Sequence, residues 1–172
     1  MTKKTVPGRR VPKGPRVPKA SRPHMPGYGM PAGTKGLLAW AWAEERLQTS
    51  HNYYVMTVRS DATPHAMPVW GIWVDGRFYF STGAQSVKAR NLAANTSCVV
   101  CTDNPAEAVI VEGTASPLAD GARIAELSRH YSGKYKSFTL DPKMGPIFEV
   151  RPKVVFGLRE KTFKAATRWT FS

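Results

Sequence analysis

The sequence predicts a mainly β protein, an antiparallel barrel with a few peripheral helices. Three observations carry that expectation. Segments rich in aromatic and β-branched residues outnumber the amphipathic ones, they do not alternate regularly with them, and an Asp75-Gly76 turn joins two of them directly. A chain of 172 residues, 42% of them hydrophobic, can bury one substantial core, which argues for one domain.

Residues 1–33 carry a dense run of prolines and no periodic pattern, and are expected to form a basic arm, ordered only near His24-Met25-Pro26-Gly27-Tyr28-Gly29; the barrel domain spans 34–172. Nine of the 25 Lys and Arg residues precede the first acidic residue, Glu44, leaving 16 basic against 12 acidic residues for the rest. Most of the net charge of +13 therefore belongs to the arm. A basic arm can hold a polyanion through counterion release. Nothing between Met1 and Ala20 interleaves aromatics for base stacking, so a solvated leader is expected and nucleic acid is not an expected partner.

Thr34 is placed to cap a helix over 35–48, in which Leu38 with Trp42 and Trp40 with Leu47 recur at helical spacing. From Asn52 the period changes, and Tyr53-Tyr54-Val55-Met56-Thr57-Val58 reads as a strand, closed by the turn residues Asp61-Ala62-Thr63. A second strand over 66–74 meets a third over 77–82 through Asp75-Gly76, the pair a type I′ hairpin turn prefers. Ser86 can cap a short helix over 87–94. Strands over 97–102 and 108–115 follow, then a helix over 120–131 and strands over 153–159 and 167–171.

Cys98 and Cys101 have C-x-x-C spacing, but both fall within a strand, where positions three apart face opposite ways and cannot easily share a metal. Two inert, buried thiols are expected, in keeping with a reducing cytosol, and no metal. No apolar run approaches the roughly 20 residues of a membrane span, and the N-terminal stretch lacks a secretory apolar segment. A soluble, cytoplasmic protein without a membrane partner is expected.

The chemistry is concentrated between Asp75 and Leu92. A strand ends on Ser81 and Thr82, the chain turns through Gly83, and a helix opens with Ser86 and Lys88. Free backbone N–H groups, hydroxyls and an ammonium at one place suit a phosphate. Lys88 and Arg90 near the first turn are poorly placed for the helix dipole, which also suits an anion at that end. An ordinary capped helix with solvated Lys88 and Arg90 is the alternative at this point.

The same stretch resembles the cofactor-phosphate segment of the pyridoxamine-phosphate-oxidase-like split barrels. Pro64-His65-Ala66-Met67-Pro68-Val69-Trp70 together with Arg90-Asn91-Leu92 is similar to their actinobacterial flavin/deazaflavin oxidoreductase branch. The resemblance, running from about Leu37 to Phe171, implies a homodimeric split β-barrel with two cofactors in grooves between the protomers. It implies that Thr82, Ser86 and Lys88, with Ser81, Arg90 and Asn91 nearby, hold the cofactor phosphate. The backbone of Met67, Pro68, Val69 and Trp70 would pass along the ring edge, and Trp169 and Arg168 would approach from the partner subunit.

Val87-Lys88 stands where the flavin-mononucleotide members carry an Arg-Lys pair, and the apolar Ala66 to Trp70 where they carry an Arg-x-x-x-x-Lys strand. The loss of cations points to coenzyme F-420, whose phosphodiester and oligoglutamate tail spread the charge, and Arg90 and Arg22 could meet that tail. The implied function is hydride transfer from the reduced coenzyme to a conjugated or heteroaromatic small molecule, the electron acceptor. A flavin mononucleotide (FMN) enzyme of the same fold is one alternative. A non-enzymatic module for a cofactor, haem or lipid is another, since no indispensable acid–base pair is visible. His24, His51, His65 and His130 are the available proton donors, each more readily explained as a surface or turn residue. Tyr28 could fold over the groove, and Gly113 is expected to permit close backbone approach within the barrel.

Overall fold

A computed structural model describes residues 17–171, and the first part of the expected arm lies outside the described residues. Nine strands form one antiparallel sheet: β1 (Lys19–Ser21), β2 (Tyr53–Val58), β3 (Pro64–Val69), β4 (Ile72–Val74), β5 (Arg77–Ser81), β6 (Ser97–Thr102), β7 (Glu107–Pro117), β8 (Ile147–Arg159) and β9 (Thr167–Thr170). Three α-helices accompany them: α1 (Trp40–Thr49), α2 (Val87–Ala94) and α3 (Gly121–Tyr135).

The path β1-β9-β8-β7-β6-β2-β3 is completed by β5, which pairs with both β4 and β8. The long β8 makes this possible, pairing with β5 through Ile147–Val150 and with β9 through Val154–Gly157. Between these halves the register with β7 shifts at Glu112/Gly113, opposite Pro152. A Cβ on Gly113 would lie 2.2 Å from the Arg151 carbonyl oxygen, so the close approach expected there is what the bulge requires.

Strand alternation builds the core. Tyr53, Val55 and Thr57 of β2 point inward, while Tyr54, Met56 and Val58 face outward. Phe78 and Phe80 of β5 join Phe148, Val150, Val155 and Trp169 in the main cluster. Tyr79, on the other face of β5, packs with Ile72 under Ile124, Leu127, Tyr131 and Tyr135, all from α3. The β4–β5 hairpin is thereby buried on both sides. Asp75 and Gly76 both have positive φ, 51° and 73°, as the expected type I′ turn demands.

Several elements differ from the sequence reading, each through a tertiary contact. The strand expected over 66–74 is two strands, because Gly71 is drawn out of the ladder: its N–H donates to the Tyr135 hydroxyl at 2.9 Å, and its carbonyl accepts from Lys134 at 3.1 Å. Helix α1 begins at Trp40 rather than Lys35, and Thr34 does not cap it; Gly36 has φ 77° and the Leu38 N–H is taken by the Thr167 hydroxyl. Ala43 and Leu47 are its buried residues, with Leu38, Trp40 and Trp42 packed partly buried against the core. Strand β8 starts at Ile147, before the expected Lys153, and α3 continues to Tyr135. Strand β1 was not anticipated; its three residues pair with β9.

Cys98 is buried and Cys101 half-buried, the two lying on opposite faces of β6 as expected. Burial pushes the Cys98 thiol up to about 11, too high for a reactive thiolate near neutral pH. Among the described residues no helix is long and apolar enough to cross a membrane, and no group of three or more His, Cys, Asp or Glu side chains could hold a metal.

Candidate functional site

The site is organised around the turn from β5 to α2. The Thr82 N–H donates to the Pro146 carbonyl at 3.2 Å, and Ser86 N–H to the Gly83 carbonyl at 3.0 Å, which folds the turn back on itself. Gly145, with φ 142°, braces it, since a Cβ there would come within 2.2 Å of the Thr82 carbonyl oxygen. Ser86 is the N-cap of α2, as the sequence indicates. Its Oγ accepts from the Ala89 N–H at 3.2 Å and from the Thr82 hydroxyl at 3.1 Å, so the two hydroxyls stand side by side at the helix start.

Lys88 is half-buried in the first turn, and among the described residues no carboxylate pairs with it. Burial holds its ammonium below the ordinary lysine value. A half-buried cation in the same helical turn as two paired hydroxyls fits a bound anion better than a solvated helix face. Arg90 is exposed and folds back to the Gln85 carbonyl. Asn91 is buried and committed to the structure: its amide donates to the Thr57 hydroxyl at 2.9 Å.

The edge strand β3 forms the second side. It carries Pro64 and Pro68, tolerable because among the described residues no further strand pairs with it. Ala66, Met67 and Pro68 are exposed and Val69 is buried. Beyond it the Trp70 ring stacks on Tyr135 at 4.9 Å with planes 9° apart, and Phe138 closes against its edge at 4.8 Å. Of the expected ring-edge residues, Met67, Pro68 and Trp70 are thus accessible along the edge and Val69 is not.

The C-terminal pair separates. Trp169 is 1% exposed and packs edge-on against Trp40 at 5.5 Å, within the core of its own chain. That position leaves no ring face for a ligand, which corrects the expectation for this residue; alternation on β9 turns Arg168 outward instead. In the sheet order β8, β7, β6 and β2 lie between β9 and β3, so Arg168 lies several strands from the edge along the ladder. Arg22 donates to the Lys35 and Lys164 carbonyls, tying the segment after β1 to the barrel. Tyr28 packs beside Phe163 at 5.5 Å.

One residue that the sequence does not single out, Arg59, joins His65, one of the candidate proton donors. Arg59, at the end of β2, places its guanidinium 3.2 Å from His65 Nδ1. The His65 imidazole is held below its ordinary value by burial first, then by the charges of Arg59 and Lys88. Three basic side chains therefore gather beside the start of α2. Only the hairpin register, which sets Thr57 against His65, could have revealed it.

Comparison with known proteins identifies the family and the fold. Residues 41–158 match the pyridoxamine 5'-phosphate oxidase family, and the chain belongs to that family. No curated protein matches significantly. Among solved structures, an F420 reductase superposes with a TM-score of 0.54 at 24% identity, covering 65% of this chain and 94% of that one. A FAD-binding protein from Mesorhizobium loti gives 0.56 at 14% identity, covering 78% and 96%. A heme binding protein from Mycobacterium smegmatis gives 0.54 at 15% identity, covering 71% and 55%. These likenesses establish the fold.

Proposed function

We propose that the chain is an oxidoreductase that uses reduced coenzyme F-420 to reduce a conjugated or heteroaromatic small molecule. The observation that carries this reading is that the paired Thr82 and Ser86 hydroxyls stand at the start of α2, whose first turn carries the half-buried Lys88. Helix N–H groups, hydroxyls and an ammonium at one helix start stabilise a phosphate ester. The accessible apolar margin of Met67, Pro68 and Trp70 suits a flat heteroaromatic ring beside it. The likeness to an F420 reductase supports the reading at the level of fold.

The bound cofactor supplies the hydride. The chain's own residues bind, orient and exclude water. Thr82, Ser86 and Lys88 hold the phosphate, with Ser81 and Arg90 beside it, and the backbone from Met67 to Trp70 fixes the ring edge. Tyr54 and Val58, 44% and 39% exposed on the outward face of β2, leave apolar surface beside the β3 edge that a second copy of the chain would cover. In such a homodimer the outward Arg168 of one protomer reaches the groove of the other.

Bound FMN is the second reading, and one observation favours it: Arg59, whose charge acts on His65 together with that of Lys88, restores a cation that a doubly charged phosphate monoester needs. Fluorescence titration of the purified protein with F-420 and with FMN separates the two. Micromolar binding of F-420 with weaker FMN is expected; the reverse order favours the FMN enzyme, and binding of neither contradicts both.

A further inference from the structure

We propose that Arg59 and His65 form, with Lys88, the far wall of the anion site, and that His65 takes up a proton when a phosphate ester binds there. The proposal rests on the reading of α2 as the phosphate-holding helix and adds to it two residues from the β2–β3 hairpin.

Register and helix geometry bring the three together. Thr57 and His65 are direct partners in the antiparallel ladder, so their side chains lie on the same face. Asn91 binds Thr57 from α2. Lys88 and Asn91, three residues apart, share one face of that helix. The face that carries Lys88 is therefore pinned over the pair that carries His65.

The hydrogen bonding fixes the state of the ring. A guanidinium can only donate, so His65 Nδ1, 3.2 Å from Arg59 Nη2, is the acceptor, the imidazole is neutral, and its remaining hydrogen is on Nε2. Arg59 faces the ring from the hairpin loop and Lys88 from α2. Asp61 is the carboxylate of that loop, and its Oδ1 is engaged by the Thr63 N–H and hydroxyl at 3.0 and 2.7 Å. Thr57 and Asn91 are uncharged and satisfy each other. With no anion present, the two cations repel a third charge on the ring. A phosphate reverses this, accepting from Arg59 and making the imidazolium a favourable donor.

The test is an NMR pH titration of the His65 ring in the whole protein, with and without inorganic phosphate. A rise of about one unit in its pKa with phosphate is expected, equivalent to tenfold tighter anion binding by the protonated form. Arg59→Ala is expected to weaken FMN or F-420 roughly tenfold while riboflavin, which lacks the phosphate, binds as before. An unchanged His65 titration in saturating phosphate overturns the proposal, as does an Arg59→Ala protein that binds both phosphorylated cofactors normally. A phosphate-dependent rise in a protein that binds neither F-420 nor FMN overturns the cofactor reading and leaves the anion site standing.

Discussion

The Asn91 side-chain amide donates to the Thr57 hydroxyl across 2.9 Å, and this buried bond locks α2 to the strand next to the exposed edge. Cutting it unsatisfies Thr57 and frees the helix that carries Lys88. Asn91→Ala is expected to lose about 1–3 kcal/mol of stability, measured by urea denaturation. Cofactor affinity is expected to fall with it, because Ser86 and Lys88 lose their fixed distance from β3.

Glu149 is a buried carboxylate between two cations. Arg77 donates to it at 2.8 Å, Arg151 at 2.7 Å and the Tyr79 hydroxyl at 3.1 Å. Burial alone would raise its pKa, but the bonds from Arg151 and Arg77, the Arg77 charge and the bond from Tyr79 outweigh it and hold the group below the ordinary glutamate value. A depressed folded pKa gives stability that is complete above the unfolded value, near 4.5, and lost as pH falls through the folded one. Glu149→Gln is expected to be less stable than the parent at pH 7 and to lose less on acidification, as denaturant midpoints across that range will show.

Lys134 gives the opposite slope. Its ammonium donates to the Tyr53 hydroxyl at 2.6 Å and the Gly71 carbonyl at 3.1 Å, yet burial lowers its pKa from 10.5 to about 8. Folding therefore disfavours the charged form: the cost is complete below the folded value and fades as pH rises toward the unfolded one. Thermal melts of the parent relative to Lys134→Met should gain stability as pH rises above 8, and parallel curves would contradict this.

Gly71 and Gly113 are steric requirements of the fold. A Cβ on Gly71 would lie 2.2 Å from the Phe78 ring and 2.8 Å from the Tyr79 carbonyl oxygen. Gly71→Ala is expected to cost about 1–3 kcal/mol or more through forced displacement of β5, measurable by calorimetry. An Ala84→Gly control in the exposed turn should change little.

Local chemistry was legible in the sequence and long-range chemistry was not. Asp75-Gly76 and the Ser86 cap act through their own neighbours, and both elements form where the pattern indicates. The break at Gly71 depends on Lys134 and Tyr135, more than sixty residues away, and no pattern near Trp70 signals it. Trp169 has the exposure-neutral look of any strand residue; its burial follows from the close contact of Gly157 with its ring. At the site, Ser86 and Lys88 stood out because a capped helix with a misplaced cation is a local anomaly. Arg59 did not, because its proximity to His65 comes from the loop between two strands whose register only the fold sets.

Cofactor binding depends on an anion held at the start of α2. Its most direct test is the affinity of the intact protein for F-420 and FMN, by fluorescence titration, beside Ser86→Ala and Lys88→Met. A loss of roughly tenfold in each variant, about the worth of one charge-assisted hydrogen bond, is the expected result. Unaltered affinity in both variants would contradict the account and place any cofactor elsewhere.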